Sequence, residues 1–113
     1  MEAINNIIGV LTKWTEEKRP VNPEEWIEAG LKLNVLKEDA LTGRIIALQS
    51  SLANKRLQVL ETGKSVAYAR TVIEADKEYA ECKELEARAK FIEEHIRLTK
   101  VRARMGSDDY NSH

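Results

Sequence analysis

Residues 41–65, "LTGRIIALQSSLANKRLQVLETGKS", decide the fold class. Leu41, Ile45, Leu48, Leu52 and Val59 step by four, three, four and seven, skipping Lys55, which marks one face of a helix with a heptad-like seam. The pattern predicts a helix from about Glu38 to Glu61, roughly 35 Å long at 1.5 Å per residue. Thr62-Gly63-Lys64-Ser65 then ends the stretch as a phosphate-binding loop ends. Such a loop also needs a glycine five residues before Gly63, following a buried strand, so that backbone N–H groups converge on the phosphates. That position is Gln58, and the residues before it are helical in pattern. Gly63 is therefore read as a left-handed helix stop and Ser65 as the cap of the next helix.

Beyond Ser65, Val66, Ala69 and Ile73 form a short stripe reaching Ala75. Asp76 can cap a last helix to about Met105, with the seam Cys82, Leu85, Ala89, Ile92 and Ile96. One helix or two over 65–75 and 76–105 both fit this pattern. Toward the N-terminus, Asn22-Pro23-Glu24-Glu25 reads as N-cap, first helical proline and acidic first turn. A helix begins there, carries Trp26, Ile27, Leu31 and Leu33, and is expected to fray near Asn34. Pro20 breaks the chain ahead of it. Ile4, Ile7, Ile8, Leu11 and Trp14 set a first helix from Glu2 to Thr15. Two long seams of similar length predict an antiparallel helical hairpin with two short N-terminal helices docked on it. Charged residues at 33% against 5% aromatics fit this all-α class better than a strand-rich one. The expectation is a single helical domain over 1–105, followed by a polar, flexible tail over 106–113.

The same residues weigh against catalysis. Cys82 is the one cysteine, so an internal disulfide and a multi-cysteine metal site are both excluded. A di-metal bundle places Glu three residues before each His, whereas Ile92 stands three before His95. Glu78, Glu81 and Glu84 alternate with Lys77, Lys83 and Arg88, the charge pattern of a solvated helix face. No catalytic residue, metal or cofactor is expected. The run Ile7–Leu11 is too short for a membrane span or signal peptide, so a cytoplasmic protein without membrane contact is expected.

Two features remain for function. The first is charge: the formal net charge is -1, yet residues 41–73 hold Arg44, Lys55, Arg56, Lys64 and Arg70 against the one acid Glu61. Residues 95–105 add Arg97, Lys100, Arg102 and Arg104 with no acid. In an antiparallel hairpin Arg44 would lie near Arg102 and Arg104, and the other four would gather at the far end. These two poles offer a nucleic-acid interface of Lys55, Arg56, Lys64, Arg70, Arg97, Lys100, Arg102 and Arg104, although cations in last helical turns also suit the helix dipole alone. The second feature is apolar surplus. Ile46, Phe91, Leu98 and Val101 lie off the seams, with Leu60 and Val72, and Trp14 and Trp26 read as core or interface anchors. Self-association as a homodimer or dimer of dimers would cover this surface.

The segments "EWIEAGLKLNVL", "ALQSSLANKRLQVLETGKSVAYARTVIEADKEY" and "IEEHIRLTKVRAR" resemble a group of small helical proteins encoded by bacteriophages. The resemblance covers residues 23–104. Its distinctive pieces are Gly63-Lys64-Ser65-Val66-Ala67, Glu78-Tyr79 and Glu93-Glu94-x-Ile96-Arg97. It implies a phage gene product in bacterial cytoplasm, working alongside DNA replication or recombination proteins or inhibiting a host enzyme, and it assigns no site residue. The sequence reading is thus a non-enzymatic accessory protein that binds another protein, with nucleic-acid binding as the alternative.

Overall fold

The computed structural model describes the backbone of residues 1–17 and 21–111, and the side chains of those residues up to Gly106. Helices α1 (Glu2–Glu16) and α2 (Pro23–Lys37) are followed by a π turn (Glu38–Thr42), then α3 (Gly43–Glu61), α4 (Val66–Glu74) and α5 (Lys77–Asn111). No strand occurs among the described residues, and the fold is all-α. Pro20, read as a breaker, lies outside the described residues.

The helix ends follow their side chains. Asn22 Oδ1 accepts the Glu24 N–H at 3.0 Å and Pro23 opens α2. Gly63 stops α3 with φ 82°, a conformation that costs an L side chain roughly 1–2 kcal/mol. Ser65 Oγ accepts the Tyr68 N–H at 3.1 Å at the start of α4, and Asp76 Oδ1 accepts the Glu78 N–H at 2.8 Å at the start of α5. The segment 65–105 is therefore two helices.

The expected break near Asn34 is absent. Hydrogen-bonded helix continues through it into the π turn and on to Glu61. The reason lies in the spacing of the inward row, which is Trp26, Gly30, Leu33, Lys37, Leu41, Ile45, Leu48 and Leu52. From Leu33 to Ile45 it takes three steps of four in succession. On a pure α-helix each such step swings the row by roughly 40°, because four residues overshoot one turn of 3.6. A π turn holds an additional residue, so five residues of wider winding bring the row back. Ile27 and Leu31 lie on the flank of this row and are exposed, at 49% and 64%.

By packing, the chain divides into two compact units, Met1–Ala40 with Lys90–His113, and Leu41–Ala89. In the first, α1 sets Ile4 and Leu11 against α2, and Trp14 meets Trp26 edge to face at 5.1 Å. The seam of α5 extends past Ile92 and Ile96 through Thr99 and Ala103 in the same three–four rhythm. Gly30 fits beneath Thr99 so closely that a Cβ there would stand 2.3 Å from Thr99 Oγ1. Lys37, buried, reaches Glu93 at 3.3 Å. Near the far end of α2, a Cβ on Gly106 would stand 3.2 Å from Pro23 Cγ. With that neighbour, α5 runs on past Met105 to Asn111, over most of the stretch expected as tail. Residues 112 and 113 lie outside the described residues.

In the second unit Leu48, Leu52 and Cys82 form the buried cluster, with Ile73, Tyr79 and Leu85 packed on it. Ala69 is fully buried as α4 folds onto α3. Arg44 donates two hydrogen bonds of 3.0 Å to Glu81. Arg44 is thus committed to Glu81 within its own unit, and Arg102 and Arg104 belong to the other. The long helical run starts at Pro23 instead of Glu38, so α2 is the helix that meets the end of α5.

Candidate functional site

Chemistry-bearing side chains occupy structural posts. Lys55 takes the skipped seam position and binds Asp76 at 2.9 Å and also Glu78, which Ser51 contacts in turn at 3.0 Å. Hydrogen bonds from Lys55 hold the Asp76 and Glu78 carboxyls below the usual range, and the two acids raise Lys55. This cluster ties α3 to the first turn of α5. Glu81 is engaged by Arg44 and Glu84 by Arg88 at 3.1 Å, so the triple-glutamate run is a set of partnered surface acids.

Burial, then Glu86, pushes the Cys82 thiol up, and its Sγ–H donates to Glu86 Oε1 at 3.2 Å. A buried, protonated thiol is a poor nucleophile. Glu86 also accepts from Gln49 at 3.2 Å and is lowered by these bonds, that of Cys82 first. His95 packs edge to face on Phe91 with ring centroids 4.7 Å apart. Among the described residues no group of three or more His, Cys, Asp or Glu is placed to hold a metal ion.

Lys64, the lysine of the loop-like tetrapeptide, extends over the Tyr68 ring at 5.5 Å. Thr62 Oγ1 donates back to the Val59 carbonyl at 2.6 Å. The turn is a helix–helix joint whose polar groups serve its own backbone.

The basic residues divide by partnership. Lys55 is committed to Asp76 and Glu78, and Arg97 to Glu94 at 2.8 Å. Arg56, Arg70, Lys100, Arg102 and Arg104 are exposed and have no ion pair among the described residues. Arg56, Lys64 and Arg70 belong to the unit Leu41–Ala89, and Lys100, Arg102 and Arg104 to the other.

Apolar residues make the more continuous surfaces. Phe91, Leu98 and Val101 are exposed at 58%, 44% and 41%, with Met105 one turn beyond at 53%. Their spacing of seven, three and four keeps them on one side of α5, opposite the buried Ile92–Thr99–Ala103 row. Ile46 is 57% exposed on α3. Trp26 is buried and Trp14 half-buried against it, so this pair is committed to the contact of α1 with α2.

A second apolar row escaped the sequence reading. Ile27, Leu31 and Val35 succeed one another at four-residue steps, exposed at 49%, 64% and 58%. They flank a groove between α2 and α5 lined by Ile27, Gly30, Leu31, Asn34, Ile96, Thr99 and Lys100. The signal was present in the succession of four-residue steps after Leu33, which assigns Gly30 and Lys37 to the core and turns Ile27 and Leu31 outward.

No protein-family model, curated protein or solved structure matches this chain. Among the described residues, no helix is long and apolar enough to cross a membrane.

Proposed function

We propose that the protein is a non-enzymatic accessory protein of a bacteriophage, acting in the bacterial cytoplasm by binding another protein. The observation that carries this reading is the exposed row Phe91, Leu98, Val101 on the outer side of α5. Burying side chains of this kind is worth roughly 1.5–3 kcal/mol each, so a surface that leaves several in water is built to be covered. The phage origin rests on the resemblance of residues 23–104, and the partner class on that origin: a phage replication or recombination protein, or a host enzyme that is inhibited. The fold in this reading is one helical domain whose long helices return on each other as a hairpin. Cross-helix pairs support it: Lys55 with Asp76 and Arg44 with Glu81 in one unit, Lys37 with Glu93 in the other. Hairpins of this kind assemble as dimers or dimers of dimers, with Phe91, Leu98, Ile46 and Val101 at interfaces.

Affinity capture from phage-infected bacteria, with wild type beside Leu98→Glu, tests the reading. A specific protein partner retained by wild type and lost by the variant is expected. Absence of any partner, together with turnover of a small molecule, would overturn it.

Arg56, Arg70, Lys100, Arg102 and Arg104, exposed and without an ion pair among the described residues, favour one alternative, an oligomer that binds nucleic acid through split basic patches. Its affinity would fall with salt at a log–log slope of about 0.7–0.9 per neutralised phosphate. Replacing Arg56, Lys64, Arg70 and Lys100 by Glu would abolish binding. Equal failure of wild type to hold single- or double-stranded DNA at low salt removes this alternative.

A further inference from the structure

We infer that the groove between α2 and α5 is a homodimer interface in which α2 of a second copy lies along α5 of the first, and reciprocally. This rests on the self-association named above and gives the dimer of dimers a second interface beside the Phe91 row.

Three observations converge. The first is that α1 covers only one flank of α2. Ile7 and Trp14 stand beside Glu25, Glu28, Ala29 and Lys32 there, while Ile27, Leu31 and Val35 on the other flank remain exposed. The second is the floor of the groove. Gly30 has no side chain, and the buried Thr99 hydroxyl is spent on the Ile96 carbonyl at 2.6 Å, so the floor offers an apolar helix close approach with no polar group left to satisfy. The third is charge. Glu24 is exposed on α2 next to the apolar row, Glu28 is exposed between that row and the α1 flank, where it pairs with Lys32 at 3.2 Å, and Lys100 and Arg104 are exposed on α5 across the groove.

The two helices run past each other in opposite directions here, since Pro23 lies by Gly106, Gly30 by Thr99, and Lys37 bonds Glu93. A twofold axis parallel to them, laid over the groove, brings α2 of one copy above α5 of the other at the same height. Leu31 then lies over Ile96 and Lys100, and Glu24 and Glu28 lie level with Lys100 and Arg104. Every neighbouring pair in the resulting four-helix layer is antiparallel, as in bundles. The acidic helix meets the basic one twice by symmetry, so this surface is self-complementary in both shape and sign. Another protein's helix would have to reproduce that polarity; a second copy carries it already.

A charge-exchange experiment on the full chain tests this. Native mass spectrometry and sedimentation would compare wild type with a Glu24→Lys/Glu28→Lys variant, a Lys100→Glu/Arg104→Glu variant and their equimolar mixture. Circular dichroism would verify that each remains helical. Each variant alone should lose pairing by at least about tenfold in Kd, because like charges then face each other in both halves of the interface. The mixture should form heterodimers with near wild-type affinity. Undiminished pairing of the variants alone, or no heterodimer on mixing, overturns the inference, as does a wild type that stays monomeric at micromolar concentration. The functional reading fails separately: heterodimers that form as expected while no protein partner is captured would sink the accessory-protein reading and leave this interface standing.

Discussion

Lys55 shows how a single residue can interrupt an apolar seam and still hold it together. Its ammonium replaces a methyl group at the seam and gathers Asp76 and Glu78 at the cap of α5. The two carboxyls titrate below their usual range, so their contribution to stability is present above the unfolded pKa and lost as pH falls through the folded one. Lys55, raised, contributes below the unfolded lysine value and loses its share only in strong alkali. The stability difference between wild type and Lys55→Met should therefore hold steady across neutral pH and shrink below about pH 4. Thermal unfolding at a series of pH values checks this, and a difference that widens on acidification would contradict it. Gly30 carries the opposite lesson, where a missing side chain is the contact. Gly30→Ala drives a methyl group against Thr99 and should cost about 1–3 kcal/mol in urea unfolding. Thr99→Ala removes the obstructing oxygen, so the double variant should lose less than the two single losses together.

Among the elements, the π turn at Glu38–Thr42 is the one whose presence is explained by spacing alone. Removing one residue inside it, for instance exposed Asp39, converts the steps after Leu33 into an unbroken three–four alternation. An ordinary α-helix can carry that alternation on one face. Deleting Asp39 should leave helicity intact and shift Tm by no more than a few degrees. Deleting Ser50, in the middle of α3, rotates every later residue by roughly 100° and takes Leu52 and Lys55 off their contacts. That variant should lose cooperative unfolding. Paired thermal melts monitored by circular dichroism distinguish the two, and equal damage from both deletions would show that the π turn has another cause. Other element ends were legible beforehand, because Asn22, Gly63, Ser65 and Asp76 each act through one local hydrogen bond or one dihedral angle. The break expected near Asn34 was not, since asparagine tolerates the left-handed conformation without requiring it and the row it sits beside continued.

For the whole molecule, the exposed apolar rows set the expectation. Phe91→Glu puts a charge at the start of the outer row of α5, where the side chain is 58% exposed and gives up only its edge-to-face contact with His95. Helicity and Tm should be unchanged within error, while association measured by light scattering at micromolar concentration should weaken by about tenfold or more. Unchanged association would show that this row covers something other than a second copy. The same physics explains why site residues were only partly legible. Phe91, Leu98, Val101 and Ile46 stand off the seams and are exposed in the structure as their spacing requires. Arg97 has its acid, Glu94, three residues back on its own helix, whereas Lys55 stood in the same stretch of cations as Arg56 and nothing in its neighbourhood of sequence marks Asp76 and Glu78 as its partners.

The sequence by itself determined the all-α class, the helix caps and the turn at Gly63, because seam periodicity, capping hydrogen bonds and a positive φ act within a few residues of chain. The tertiary structure alone decided that Thr99 seats over Gly30 and that Lys55 ties α3 to α5. Those outcomes join residues 21 to 69 positions apart in the chain, and they depend on the register at which two helices meet.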